Sequence, residues 1–172
     1  LSSSSAASDV YKRQPKSLLS RPEAVSPHRE FLVPSRFHEV LPDPDAPAPD
    51  QVTRAVFCTG KVYYDLAAYR KERNISDTII IRLEQIYPLA QEQLTYLLAP
   101  YQKVRDFVWC QEEPSNMGAW GHLRNRLGRL FATSFRYAGR PPMACPAEGA
   151  KALHAAAQKR LIATAFGPRA QS

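Results

Sequence analysis

The sequence predicts an α/β fold: a doubly wound, mainly parallel sheet of about four to five strands, with an extended Pro-rich N-terminal arm. Three observations carry this. Short β-branched or aromatic runs alternate with stretches whose apolar residues recur at helical spacing, and strand–helix units in series imply right-handed crossovers between parallel strands. Phe107, Val108, Trp109 and Cys110 are bulky in succession, which suits a central strand covered on both faces better than a half-exposed one. Pro15, Pro22, Pro27, Pro34, Pro42, Pro44, Pro47 and Pro49 crowd the start of the chain, a density that forbids long helices and central strands there.

Taken in order, residues 1–14 (LSSSSAASDVYKRQ) are low in complexity and read as an adapter- or vector-like string outside the fold. Residues 15–51 form the arm and a linker. Phe31, Leu32, Val33, Phe37, Val40 and Leu41 are apolar enough to lie against a surface, and 42–50 is the linker. The regular domain then spans 52–172. Arg54 to Cys58 is its first strand, Thr59 and Gly60 a turn, and Val62 to about Arg73 a helix with Val62, Leu66 and Tyr69 on one face. Thr78 to Leu83 is the second strand, and Pro88 to about Ala99 a helix with Leu94, Leu97 and Leu98 inward.

Asp106 to Gln111 is the third and organising strand. Gln111, Glu112 and Glu113 mark where it surfaces, and Pro114, which cannot donate a ladder hydrogen bond, ends it. In open α/β sheets ligands meet the carboxyl ends of the strands, so this segment is where polar side chains are expected to act. A helix from Asn116 to about Leu130, a strand from Ser134 to Tyr137 and a helix from about Ala147 to Phe166 complete the domain. Leu153, Ala157, Leu161 and Ala165 lie at i, i+4 spacing on that last helix.

Composition narrows the function. The chain of 172 residues is 44% hydrophobic, enough for one core with extensions. Its net charge is +7, with Arg124, Arg126, Arg129, Arg136 and Arg140 spread over a helix and a strand rather than in one basic run, a weak pattern for nucleic acid. No stretch reaches the roughly 18 apolar residues of a membrane span. Cys58, Cys110 and Cys145 contain no C-x-x-C pair, which suits reduced, buried thiols in an intracellular protein.

No catalytic constellation is complete. Cys58-Thr59-Gly60-Lys61 lacks the Gly-rich frame of a P-loop and reads as a tight turn. Glu112 and Glu113 are adjacent and, if extended, point to opposite faces, so they make a poor acid–base pair; one is expected to face a partner and the other solvent. His28, His38, His122 and His154 share no metal-ligand spacing, and Ser115 lacks a nucleophile-elbow frame. Trp120 and the segment Tyr137 to Pro141 have instead the aromatic and Arg character of interface anchors, with core packing as the alternative for Trp120.

Five motifs then stand in order: PKSLL at 15–19, CTGKVYYDL at 58–66, RLEQIYPL at 82–89, WCQEEPSNMGAW at 109–120 and RYAGRPP at 136–142. Together they resemble the C-terminal end of the decarboxylating component of 2-oxoglutarate dehydrogenase, over nearly everything after Gln14. The resemblance implies a C-terminal domain of the transketolase type from a thiamine diphosphate enzyme. That enzyme decarboxylates 2-oxoglutarate and passes the succinyl group to the lipoyl arm of an acyltransferase partner in the citric acid cycle. It works in the cytoplasm, or in the mitochondrial matrix of a eukaryote.

By the same resemblance, thiamine diphosphate and Mg²⁺ are held by earlier domains of the parent, residues 15–51 include the end of its pyrimidine-binding domain, and 52–172 is its last domain. The chain is then a fragment with no catalytic, cofactor or metal residue of its own. Its partners are the remaining domains of the enzyme, the dimer mate and the lipoyl acyltransferase, not nucleic acid or membrane. Gln111, Glu112, Glu113, Asn116, Trp120, Tyr137 and Arg140 are the expected domain and dimer contact edge. Gln85 matches a Gln with which some actinobacterial relatives bind acetyl-CoA, yet Gln91, Glu92 and Gln93 replace the basic residues that follow it there, which argues against that effector. Two alternatives stay open: a free-standing module binding a nucleotide or acidic partner through the basic helix and the Gly60 turn, and the same domain from a 2-oxoadipate-specific relative.

Overall fold

The computed structural model describes residues 15–146 and 148–168. It falls into two compact units divided between Ser35 and Arg36. The first is a string of single 3-10 turns, Lys16–Ser20, Pro22–Ala24 and His28–Phe31. Prolines preset φ at their starts and prevent each turn from propagating. The arm is therefore kinked, not simply extended. Leu19, Val25, Phe31 and Val33 in it are exposed.

The second unit is a sheet with helices on both faces. Its strands are β1 (Val40–Leu41), β2 (Arg54–Cys58), β3 (Thr78–Leu83), β4 (Asp106–Pro114) and β5 (Arg136–Arg140), in the order β1-β3-β2-β4-β5. All neighbours are parallel except β1, which runs antiparallel to β3. The connecting helices are α1 (Val62–Glu72), α2 (Gln91–Leu98), α3 (Trp120–Leu130) and α4 (Lys151–Phe166). This is the doubly wound, mainly parallel architecture that the alternation of strands and helices predicts.

Strand residues alternate between two cores, as the period of two requires. Phe57, Ile79, Ile81 and Trp109 point to the layer that holds Leu94 of α2 and Leu123 and Leu127 of α3. Val56, Ile80, Val108 and Cys110 point to the other, with Leu66 of α1 and Leu161 and Ala165 of α4.

Several expectations are corrected. Val40 and Leu41, read as arm, form the edge strand β1, because β3 leaves a free edge that short strands cover well. Asp43, in the linker, continues that edge: its carboxylate accepts from the Ile80 N–H at 2.9 Å and pairs with Arg70, whose Nη1 also donates to Thr78 O at 3.2 Å. Strand β4 runs on through Glu112 and Glu113 to Pro114, with an irregular register after Cys110, and α3 starts at Trp120, not Asn116. Strand β5 ends at Arg140, beyond the expected Tyr137. Leu153, expected inward, is exposed, as is Cys145. Gln111 does not mark the surfacing of the strand; it is buried.

Candidate functional site at the carboxyl ends of the strands

The order of the strands reverses at β2: the chain steps to β3 on one side and then returns to β4 on the other. Crevices at such a switch point are where open α/β sheets take ligands. Here the crevice is bridged from within. Gly60, with φ +68°, makes the tight turn after β2, and Lys61, which follows it, ion-pairs with Glu112 at the end of β4. The lysine that a phosphate would need is thus engaged by a carboxylate, in keeping with the tight-turn reading.

Gln111 organises the β4–α3 connection. Its Oε1 accepts from Trp109 Nε1 at 2.8 Å and from the Trp120 backbone N–H at 3.0 Å, so one side chain joins the core indole to the first turn of α3. Its Nε2 donates to Met117 O at 2.8 Å and lies 3.2 Å from the carbonyls of Glu113 and Pro114. Gly118 makes room for this, with φ +67° and an ideal Cβ position only 3.0 Å from Gln111 Nε2. Any side chain there would be both strained and crowded.

Arg140 closes β5 from a buried position. It donates to the Glu112 carbonyl, to Glu148 Oε1 at 2.7 Å, and through Nη2 toward His154 Nδ1 at 3.2 Å. A guanidinium only donates, so His154 Nδ1 is the acceptor in that contact. The hydrogen bond from Arg140 holds the Glu148 carboxyl below its ordinary pKa. The Tyr137 hydroxyl lies 3.0 Å from the carbonyls of Glu113 and Arg140, its ring packs on Trp120 at 5.2 Å, and burial pushes its pKa up to about 12 against the opposing Gln111 hydrogen bond.

Of the sequence candidates, Gln111, Glu112, Glu113, Trp120, Tyr137 and Arg140 therefore lie in one hydrogen-bonded cluster. Asn116 joins it to the following loop by a two-way bond with the Met143 backbone, at 3.0 and 3.1 Å. Glu113 and Asn116 are exposed; Trp120 and Tyr137 are half-buried. Gln85 stands apart on the β3–α2 connection, where its Nε2 donates to Pro88 O at 2.8 Å. Glu148, in the β5–α4 connection, and His154 of α4 were not legible as members, since only the folding of this segment back onto β5 brings them to Arg140. Arg82 was also passed over. It sits over the Tyr63 ring at 4.5 Å and pairs with Glu84 at 3.0 Å, beside the same crevice.

These residues do not fit a diphosphate and Mg²⁺ site. Among the described residues no group of three or more His, Cys, Asp or Glu is placed to hold a metal, and Glu112 is tied to Lys61. Likewise, no described helix is long and apolar enough to cross a membrane.

A doubly wound, mainly parallel sheet with one antiparallel edge strand is consistent with a C-terminal domain of the transketolase type. The chain belongs to the family described as 2-oxoglutarate dehydrogenase C-terminal, whose sequence profile matches residues 25–166. It is 45% identical over 154 residues to the 2-oxoglutarate dehydrogenase E1 component of Haemophilus influenzae, covering 88% of this chain and 16% of that protein. Against the E1 component of Azotobacter vinelandii it is 41% identical over 157 residues, with the same coverage of 88% and 16%. The mitochondrial 2-oxoglutarate dehydrogenase of Caenorhabditis elegans is 41% identical over 159 residues, 89% of this chain and 15% of that protein. The chain thus spans about one-sixth of the length of these relatives.

Proposed function

We propose that this chain is the last domain of a 2-oxoglutarate dehydrogenase decarboxylating component, and that it serves assembly of that enzyme, not its reaction centre. The observation that carries the reading is the family match over residues 25–166 on a domain whose Lys61, Glu112 and Arg140 bond to one another's segments. In the parent, thiamine diphosphate and Mg²⁺ are bound by the domains that precede this one. Those domains decarboxylate 2-oxoglutarate, and the succinyl group passes to the lipoyl acyltransferase of the complex, in the cytoplasm or the mitochondrial matrix.

Residues 15–51 are then the junction to the pyrimidine-binding domain, with β1 and Asp43 in its last part built into the sheet, and 52–172 form the rest of the closing domain. Glu113, Asn116, Trp120 and Tyr137 face the rest of the enzyme or its dimer mate. Gln111, Glu112 and Arg140 act as positioning residues that hold this edge in shape. Gln85 orders the β3–α2 connection through Pro88.

The test is complementation. The preceding portion of the parent, produced separately, is assayed for 2-oxoglutarate decarboxylation with and without the 172-residue chain. Activity that requires both supports the proposal, and turnover by the 172-residue chain alone overturns it.

A further inference from the structure

We infer that α3 is a docking surface for an acidic segment of a separate protein partner. Five arginines of the sheet unit are paired within it, while Arg36, Arg73, Arg105, Arg160 and the three of α3 are exposed and in no ion pair among the described residues. Arg54, Arg70, Arg82, Arg136 and Arg140 each pair with a carboxylate of the same unit. Arg124, Arg126 and Arg129 of α3 are exposed, and no ion pair holds any of them among the described residues. The helix itself contains no Asp or Glu, and the Arg126 side chain donates to the His122 carbonyl at 2.8 Å, one turn back on the same helix. Three guanidinium groups in no ion pair therefore stand between positions 124 and 129 on the exposed side of a helix that has no acid of its own.

Grooves flank that face on both sides. One is lined by Arg124, Arg129, Thr133 and Phe135, the other by Tyr87, Leu89, Arg126 and Arg129, and neither lining includes a carboxylate. Arg129 is common to both. Each groove thus offers an aromatic contact beside guanidinium forks that match carboxylates in bidentate geometry. The complementary ligand is a segment in which Asp or Glu residues flank an apolar side chain.

Arg and aromatic side chains together are the signature of hot spots in non-obligate protein interfaces, whereas permanent contacts are more apolar. That contrast assigns the surface to a separate polypeptide. The exposed Leu19, Phe31 and Val33 of the first unit have the apolar character of a permanent contact instead. A nucleic acid fits less well. From Arg124 to Arg129 the helix rises only about 7.5 Å, which reaches few phosphates.

The experiment uses the 172-residue chain and a fluorescein-labelled (Glu-Glu-Leu)4 peptide, followed by anisotropy. Saturable binding, weakened by salt, is expected. Substitution R124E/R126E/R129E should reduce affinity about tenfold or more, with the circular dichroism and melting of the parent retained because all three side chains are exposed. K151E/K159E/R160E on α4, an equal charge change at exposed positions, should leave binding within about twofold. Equal losses in both variants would mean a diffuse charge effect and overturn the inference. Tighter binding of a 12-nucleotide oligo-dT than of the peptide would also overturn it, as would no saturable binding. These outcomes are independent of the complementation result.

Discussion

The side-chain carbonyl of Gln111 accepts the backbone N–H of Trp120 at 3.0 Å while also holding the Trp109 indole at 2.8 Å, so a single buried amide fastens the end of the central strand to the start of α3. Replacing it by Leu leaves donors on both tryptophans and the Met117 carbonyl without partners. A loss of about 2–4 kcal/mol follows. Urea unfolding of Gln111→Leu checks this, and a loss under about 1 kcal/mol would show that water or relaxation replaces the network.

Gly118 is the geometric condition for that network. Gly118→Ala must hold φ at +67° and set a methyl 3.0 Å from Gln111 Nε2, and it should cost about 1–3 kcal/mol. Gly60→Ala, also at positive φ but with no atom within 4 Å of the added Cβ, should cost less, about 1 kcal/mol. The two melting curves, measured side by side, separate strain from crowding.

Asp43 and Arg70 form a nearly solvent-free pair, with side chains 2% and 6% exposed. Removing one partner leaves the other charged and buried, so Arg70→Ala should destabilise by about 3–5 kcal/mol. Asp43→Ala should do the same, and the double variant should lose clearly less than the sum. The Ile80 amide, which donates to Asp43, should lose hydrogen-exchange protection in Asp43→Ala.

Asp106 joins Arg54 and Arg136 at 2.7 and 3.1 Å, and both arginines also reach carbonyls at the end of α4. Burial would raise the Asp106 carboxyl, but the hydrogen bonds and charges of Arg136 and Arg54 outweigh it and hold it below its ordinary value. A folded-state value below the unfolded one gives stability that is fully present above about pH 4. That stability is lost as pH falls through the depressed folded value. Asp106→Asn should be less stable at neutral pH and should lose less than the parent on acidification to about pH 2.5. Identical acid profiles would remove Asp106 from the account.

Cys58 and Cys110 are buried, and burial raises both thiols above their ordinary pKa, while Cys145 is exposed. Native protein should therefore react with iodoacetamide at Cys145 alone, and all 3 cysteines should react in denaturant. Peptide mass spectrometry reads both states.

The central elements were legible because burial on both faces forces consecutive bulky residues. Strands β2 and β3 keep their expected bounds, and β4 is recognisable from Phe107 to Cys110 alone. Strand β1 was not, since two residues amid prolines carry no periodicity and gain strand geometry only from the β3 edge. Polar Gln111 reads as a surface residue because its partners, apart from Trp109, lie at the irregular end of β4, in the following turn and at the start of α3, a connection that the residue itself fixes.

By itself the sequence determined the alternation of strands and helices, the doubly wound class, and five motifs whose order marks the family, because these depend on local periodicity and on residues close in the chain. Only the tertiary structure decided what the polar side chains do. Asp43 meets Arg70 across 27 residues, Lys61 meets Glu112 across 51, and Arg54 meets Asp106 across 52. No spacing rule encodes such pairs. They form where the sheet order brings strand ends together, and burial there makes an unpaired charge too costly to leave.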